Sequence, residues 1–255
     1  MTSLGFIGCG AITGAMVHGL KASALASWPI LLSPRNAEMA RYLSMTHPLT
    51  EVAVSNQDVA DRSDILILAV RPQISEVILR DLRLASDQKV ISLIAGLDHM
   101  TISGWTGAQS VCRAIPLPFV AQGLGSTPVF PADPTALALF DHLGGAIPVT
   151  TLSDFNTFAT LSALMGSFFG LAEIVTDWAG RQGLCKTDAR RYVSQLFGNL
   201  GDVLRDDPQE LATLRQHHST AGGLNEQLFG IFQTNGGVLA LDAALDSVMA
   251  RVTKA

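Results

Sequence analysis

The chain has two textures. As far as about Ser153, short apolar runs alternate with longer segments whose apolar positions recur roughly every three to four residues; beyond it only the helical period remains. The runs are Leu4–Ile7, Ile30–Leu32, Val52–Val54, Asp64–Val70, Val90–Ile94, Val111–Ile115 and Ser126–Phe130. Asp64–Val70 and Val90–Ile94 are almost continuously apolar, as strands buried on both faces of a parallel sheet must be. Helical segments fall between the runs, over Ala11–Ala26 and Asn36–Met45 among others, and predict right-handed crossovers. The second half predicts helices over Asp154–Trp178, Lys186–Arg205, Pro208–His217, Leu224–Thr234 and Val238–Arg251, with Asp154 and Thr187 as N-caps and Gly183 at a helix end. The expectation is an α/β chain: a doubly wound sheet over residues 1–152, then an all-helical domain over 153–255.

Composition adds that charge is sparse. Of 255 residues 48% are hydrophobic and only 15% charged, so either the core is large or much surface lies between subunits. The helical half is apolar all round over Phe155–Val175 and Val238–Met249, which predicts a homodimer of interleaved helices or a higher homo-oligomer. Phe155–Ala172 carries no charge, but Asn156, Thr157, Thr160, Ser162 and Ser167 interrupt it, so it reads as a buried or intersubunit helix and no membrane partner is expected. A net charge of −5 with no basic run argues against nucleic acid. Cys9, Cys112 and Cys185 form neither a disulfide framework nor a zinc spacing; no metal site and a reducing cytoplasm are expected. Ala22–Ala26 mimics a signal-cleavage site but lacks the basic segment such a signal needs.

The first strand runs into Gly8-Cys9-Gly10-Ala11-Ile12-Thr13-Gly14. Strand, Gly-x-Gly and helix in succession form a dinucleotide-binding turn: Gly8 permits the bend, Gly10 admits a pyrophosphate, and the first helical residues, Ala11 and Ile12, present N–H groups to it. Thr13 stands where a third glycine is usual, with Gly14 one residue late. The second strand ends Ser33-Pro34-Arg35-Asn36, without the carboxylate that binds a ribose 2′-hydroxyl in NAD sites. Arg35 supplies a guanidinium suited to a 2′-phosphate, and Ser33 and Asn36 add neutral donors, so NADP is favoured and NAD is less expected.

Five motifs then follow in order: Ser33-Pro34-Arg35-Asn36; Ser55-Asn56; Ala69-Val70-Arg71-Pro72-Gln73; Ile94-Ala95-Gly96-Leu97; and Arg113-Ala114-Ile115-Pro116. On these residues the chain resembles the Δ1-pyrroline-5-carboxylate reductases, NAD(P)H enzymes of proline biosynthesis. The resemblance implies a Rossmann-type domain followed by a helical dimerisation domain. It also implies that Asn56, Ala69, Val70, Arg71 and Pro72 line the adenosine side of the cofactor, and Ala95 and Gly96 the nicotinamide side. Departures cluster where the family holds its substrate. Leu117-Pro118-Phe119 replace Asn-Thr-Pro, Ser162–Phe168 replace a glycine-rich helix start, and the Ser-Pro-Gly-Gly-Thr-Thr loop reads Thr220-Ala221-Gly222-Gly223-Leu224-Asn225. Gly222, Gly223 and Leu224 keep backbone N–H groups at a helix start, where an anion can be cradled.

The implied chemistry is hydride transfer to the carbon of a small imine, with Asn225, Thr220 and Ser219 as candidate donors toward nitrogen. His217 and His218 read as a helix-end cap and Glu226 as a helix-start charge. A β-hydroxyacid dehydrogenase is the alternative enzyme. Its lysine acid/base has no counterpart, since Lys21, Lys89, Lys186 and Lys254 all lie outside Phe155–Gly180. A non-catalytic NADP-binding sensor or partner protein is the other alternative, because the hydroxyl at position 225 is lost.

Overall fold

The computed structural model describes residues 2–254. It divides into two compact units, one running to Ala159 and taking back the chain from Arg251, the other Thr160–Ala250. The first is an α/β unit. Its strands are β1 (Leu4–Ile7), β2 (Ile30–Leu32), β3 (Thr50–Val52), β4 (Ile65–Leu68), β5 (Lys89–Ser92), β6 (Ser110–Ala114), β7 (Thr127–Phe130) and β8 (Ala146–Pro148). They form one sheet in the order β3-β2-β1-β4-β5-β6-β7-β8. All neighbours are parallel except β6 and β7. The connection from β6 to β7 holds only a short 3-10 turn, Pro118–Gln122, and no α-helix of the kind that carries the parallel crossovers elsewhere in the sheet.

The helices α1 (Ala11–Lys21), α2 (Ala37–Thr46), α3 (Asn56–Asp61), α4 (Pro72–Arg80), α5 (His99–Thr106) and α6 (Pro134–Asp141) cover both faces. In β4, Ile65 and Ile67 pack with Met16, Val17 and Phe140 on one face, while Leu66 and Leu68 pack with Val59, Ile78 and Ile102 on the other. That accounts for the unbroken apolar run in the sequence. α1 ends at Lys21, earlier than the apolar pattern suggests, because Lys21 Nζ donates to the carbonyls of Ala26 (3.0 Å) and Trp28 (2.7 Å) and folds the chain back toward β2. The third strand lies two residues ahead of the apolar triplet Val52–Val54, since Thr50 and Glu51 take the ladder positions opposite Ile30 and Leu31. β8, only three residues long and ending in Pro148, has no counterpart among the predicted strands; after α6 it pairs with β7.

α7 (Leu152–Leu161) closes the first unit, and its start coincides with the change of texture at Ser153. Thr151, rather than Asp154, caps it: the Thr151 hydroxyl accepts the Asp154 N–H at 3.1 Å. The second unit is helical, with α8 (Leu164–Arg181), α9 (Lys186–Asp206), α10 (Leu211–His217), α11 (Leu224–Thr234) and α12 (Gly237–Lys254). The long segment read as one helix is two, broken where the Ala163 N–H bonds the Thr160 carbonyl at 3.1 Å. Gly183 adopts φ +91° and ends α8 as expected, whereas the N-cap of α9 is Cys185 and not Thr187. No residue of α8, α11 or α12 is buried. The stretch Leu152–Arg181 is long and apolar enough to cross a membrane, with an 18-residue window of mean hydropathy 1.6.

At the far end of α1 from the glycine turn, His18 Nδ1 and His47 Nε2 lie 2.7 Å apart, sharing a proton, with the Tyr42 ring edge-on to His18. Burial first, then the neighbouring His18 and Lys21, hold the His47 pKa below its ordinary 6.5. A depressed imidazole pKa means the folded state favours neutral His47, so this contribution is complete above 6.5 and is lost as pH falls through that value. In urea unfolding at pH 7.5 and pH 5.5, His47→Gln should show a smaller acid loss of stability than the parent protein. Equal losses would show that this pair does not titrate against folding.

Candidate active site

The parallel strands β1, β2 and β4 all end at one edge of the sheet, where open α/β sheets bind ligands. Gly8 follows β1 with φ +101°, and a Cβ there would strike the carbonyl oxygen of Ala69, the first residue after β4. Only glycine lets the two strand ends approach this closely. Side chains from the β2 end pin the turn. Ser33 Oγ accepts the Gly8 N–H at 2.9 Å, and Asn36 Nδ2 donates to the Cys9 carbonyl at 2.8 Å while its Oδ1 caps α2. Thr13, fully buried, donates its hydroxyl to the Gly8 carbonyl at 2.8 Å. That bond shows why a threonine serves at the third motif position. Gly14 instead faces Met39 of α2.

Gly10 is the N-cap of α1, with no side-chain capping bond and no acid in the first turn. The N–H groups of Ala11 and Ile12 are therefore left for an anion. Arg35 is exposed beside this end, and no carboxylate pairs with it among the described residues. Ser33 and Asn36, by contrast, spend their polar groups on the turn itself. Asn56 opens α3, where Ser55 caps by accepting the Asp58 N–H at 3.0 Å. Arg71 is the N-cap of α4 and Pro72 its first residue, so the chain turns away at once after Ala69 and Val70. Ala95 is exposed and Gly96 adopts φ +71° in the loop between β5 and α5. All the residues the sequence assigns to the cofactor are thus at the carboxyl edge of one sheet or on the helix starts that leave it.

Burial pushes the Cys9 thiol up to about 11 and Cys112 to about 12, so neither is a thiolate at neutral pH. Among the described residues no group of three or more metal-ligating side chains occurs. In the second unit, the loop from α10 to α11 carries Ser219, Thr220, Gly222 and Gly223, and Leu224 and Asn225 open α11. His218 is the C-cap of α10, its Nδ1 2.9 Å from the Leu214 carbonyl. Gly222 has φ +71°, and its N–H is already bonded by Glu226 Oε2 at 2.7 Å. Asn225 Nδ2 donates to the His218 carbonyl at 2.6 Å, and Leu224 is largely exposed. Arg113, which the sequence offers only as part of a motif, is buried near the end of β6 with its Nε unbonded.

The fold and the turn define an NAD(P)-dependent oxidoreductase fold, a Rossmann-type unit followed by a helical one. The family model described as "NADP oxidoreductase coenzyme F420-dependent" matches residues 3–96. Over 97% of this chain and 94% of the relative, the sequence is 24% identical to a pyrroline-5-carboxylate reductase of Pseudomonas aeruginosa. Crystal structures agree over nearly the whole length. A 1-pyrroline-5-carboxylate reductase from Streptococcus pyogenes superposes with TM-score 0.86 at 21% identity, covering 99% of this chain and 98% of the other. A Plasmodium falciparum pyrroline carboxylate reductase with NADP bound gives 0.82 at 18%, covering 98% and 97%. Over nearly its whole length the chain is similar to pyrroline-5-carboxylate reductases in sequence and in fold.

Proposed function

We propose that this protein is an NADPH-dependent imine reductase whose substrate is a small cyclic imine of the pyrroline-5-carboxylate type. The observation that carries the reading is the open N-terminus of α1 beneath a glycine turn, with the unpaired Arg35 beside it and no acid at the end of β2. The residues present fit the dinucleotide: N–H groups of Ala11 and Ile12 for its pyrophosphate, Arg35 for a 2′-phosphate, Ala95 and Gly96 for its nicotinamide. When bound, that cofactor supplies a hydride to the carbon of a C=N bond. A protonated imine is already electrophilic, so the protein's share is orientation and exclusion of water, with Asn225, Thr220 and Ser219 as donors toward nitrogen. The family relatives carry the same assignment in their names, and a cytoplasmic setting suits a chain with no disulfide framework.

The helical unit supports self-association. Phe169, Ile174 and Trp178 of α8 are 66%, 63% and 56% exposed, too much apolar surface on one helix for a free monomer. Lipid is a poor alternative partner, because the groove of about 600 Å3 between α8 and α9 interleaves Glu173, Asp177, Lys186 and Arg190 with Phe168 and Phe197. A second copy of the chain can cover the phenylalanines and pair the charges.

Loss of the reduced nicotinamide absorbance with 1-pyrroline-5-carboxylate and NADPH is the direct test: turnover is expected, and tight NADPH binding without turnover on any imine would favour the sensor reading. Arg35→Ala should weaken NADPH binding by about 1–3 kcal/mol and leave NADH unchanged; equal effects would remove Arg35 from the 2′-phosphate. In sedimentation velocity at micromolar concentration the protein should run as a dimer or larger, and Ile174→Glu should shift it toward monomer. A monomeric parent would overturn the interface.

A further inference from the structure

We infer that Asn36 is a positioning residue for cofactor choice: it braces the loop that carries Arg35 against the glycine turn, and so sets the preference for NADPH over NADH without touching the nucleotide. The inference rests on Arg35 as the contact for the 2′-phosphate and names what makes that contact selective.

Arg35 lies between two residues that both reach back to the turn after β1. On one side Ser33, only 1% exposed, accepts the Gly8 N–H at 2.9 Å. On the other, Asn36 Nδ2 donates to the Cys9 carbonyl at 2.8 Å. Pro34 fixes a backbone angle between Ser33 and Arg35. The segment from Ser33 to Asn36 is therefore a bridge tied at both ends to neighbouring residues of the turn. Asn36 is also the joint to the next element. Its backbone carbonyl accepts the Ala40 N–H at 3.0 Å, and its Oδ1 accepts the Met39 N–H at 3.5 Å as the N-cap of α2. One side chain thus joins the turn, the Arg35 loop and α2.

The two ties are not equivalent. The turn has other fastenings, since Ser33 on the Gly8 N–H and Thr13 on the Gly8 carbonyl hold it whether or not Asn36 is in place. The chain on the far side of Arg35 has no such reserve: among the described residues, Asn36 Nδ2 makes the only hydrogen bond from there to the turn. Losing it frees the Arg35 loop more than it frees the turn.

An exposed arginine gains little from a phosphate if loop and side chain must first be ordered, because that ordering costs conformational entropy. Arg35 is exposed and, among the described residues, joins no ion pair, so the loop backbone decides where its guanidinium starts. A loop held beforehand removes the ordering cost, and only a nucleotide with a 2′-phosphate benefits. The second N–H of the Asn36 amide is the rival source of the same preference, as a direct donor to the phosphate. The two differ in whether they need Arg35.

The test is a double-mutant cycle on Kd, read from the fluorescence of bound NADPH and NADH, in the parent protein, Asn36→Ser, Arg35→Ala and the double variant. Serine keeps an N-cap for α2 but is too short to reach the Cys9 carbonyl. Asn36→Ser alone should raise the Kd for NADPH about 5–20-fold, and by less than about twofold in the Arg35→Ala background, where no guanidinium is left to place. The Kd for NADH should stay within about twofold of the parent in every variant, which a general weakening of the turn or of α2 would not give. An NADPH loss of the same size in both backgrounds would overturn the brace and make Asn36 a direct phosphate donor. Equal losses on NADPH and NADH, or none on either, would overturn it as well. The reading beneath it fails by a different result: a parent that binds NADPH no tighter than NADH, or an Arg35→Ala that leaves NADPH untouched, removes Arg35 from the 2′-phosphate and the brace with it.

Discussion

The site hangs on the close approach between the backbone at Gly8 and the carbonyl of Ala69. A side chain at Gly8 would meet backbone, which cannot yield, at a φ of +101° that other residues rarely adopt. With the approach made, β1 and β4 end level, Ser33 and Asn36 reach across from β2 to hold the turn, and Thr13 closes it from inside α1. The same helix is fixed further along, where Gly19 passes so close to the Val120 carbonyl that no Cβ fits. α1 is thus positioned twice by backbone contact, which aims its uncapped first turn at the carboxyl edge of the sheet.

Polar groups in the α/β unit are spent sparingly. Most buried ones serve the frame: Gln88 bonds the Ala60 and Ser63 carbonyls, Ser63 the Val59 carbonyl of α3, Thr106 the end of α5. The thiols of Cys9 and Cys112 are silenced by burial. Against that economy, Arg113 stands out as a full charge inside the unit with an aromatic face for company and donors left over. Arg35 is the surface counterpart, exposed and uncommitted, at the opposite side of the same edge.

The helical unit is built on the reverse principle. Its long helices bury almost nothing within the chain, and their apolar side chains lie open. A large hydrophobic surface broken by opposed charges on α8 and α9 is what a helix bundle completed by a second copy would need.

The sequence alone determined what depends on neighbours along the chain. Continuous apolar runs specify strands covered on both faces, Gly8 and Gly10 specify the turn, and Gly183 the end of α8. These are local because burial on two faces and a positive φ each leave their mark within a few residues. Tertiary structure decided what depends on partners distant in sequence. The antiparallel entrance of β7, the existence of β8, the shift of β3 onto Thr50 and Glu51, and the break between α7 and α8 follow from which strand or turn lies alongside. The role of Thr13 required the Gly8 carbonyl opposite it. The solitude of Arg113 is the clearest case: an arginine in an apolar strand looks the same in sequence whether it is paired or not, and only packing shows that no acceptor came with it.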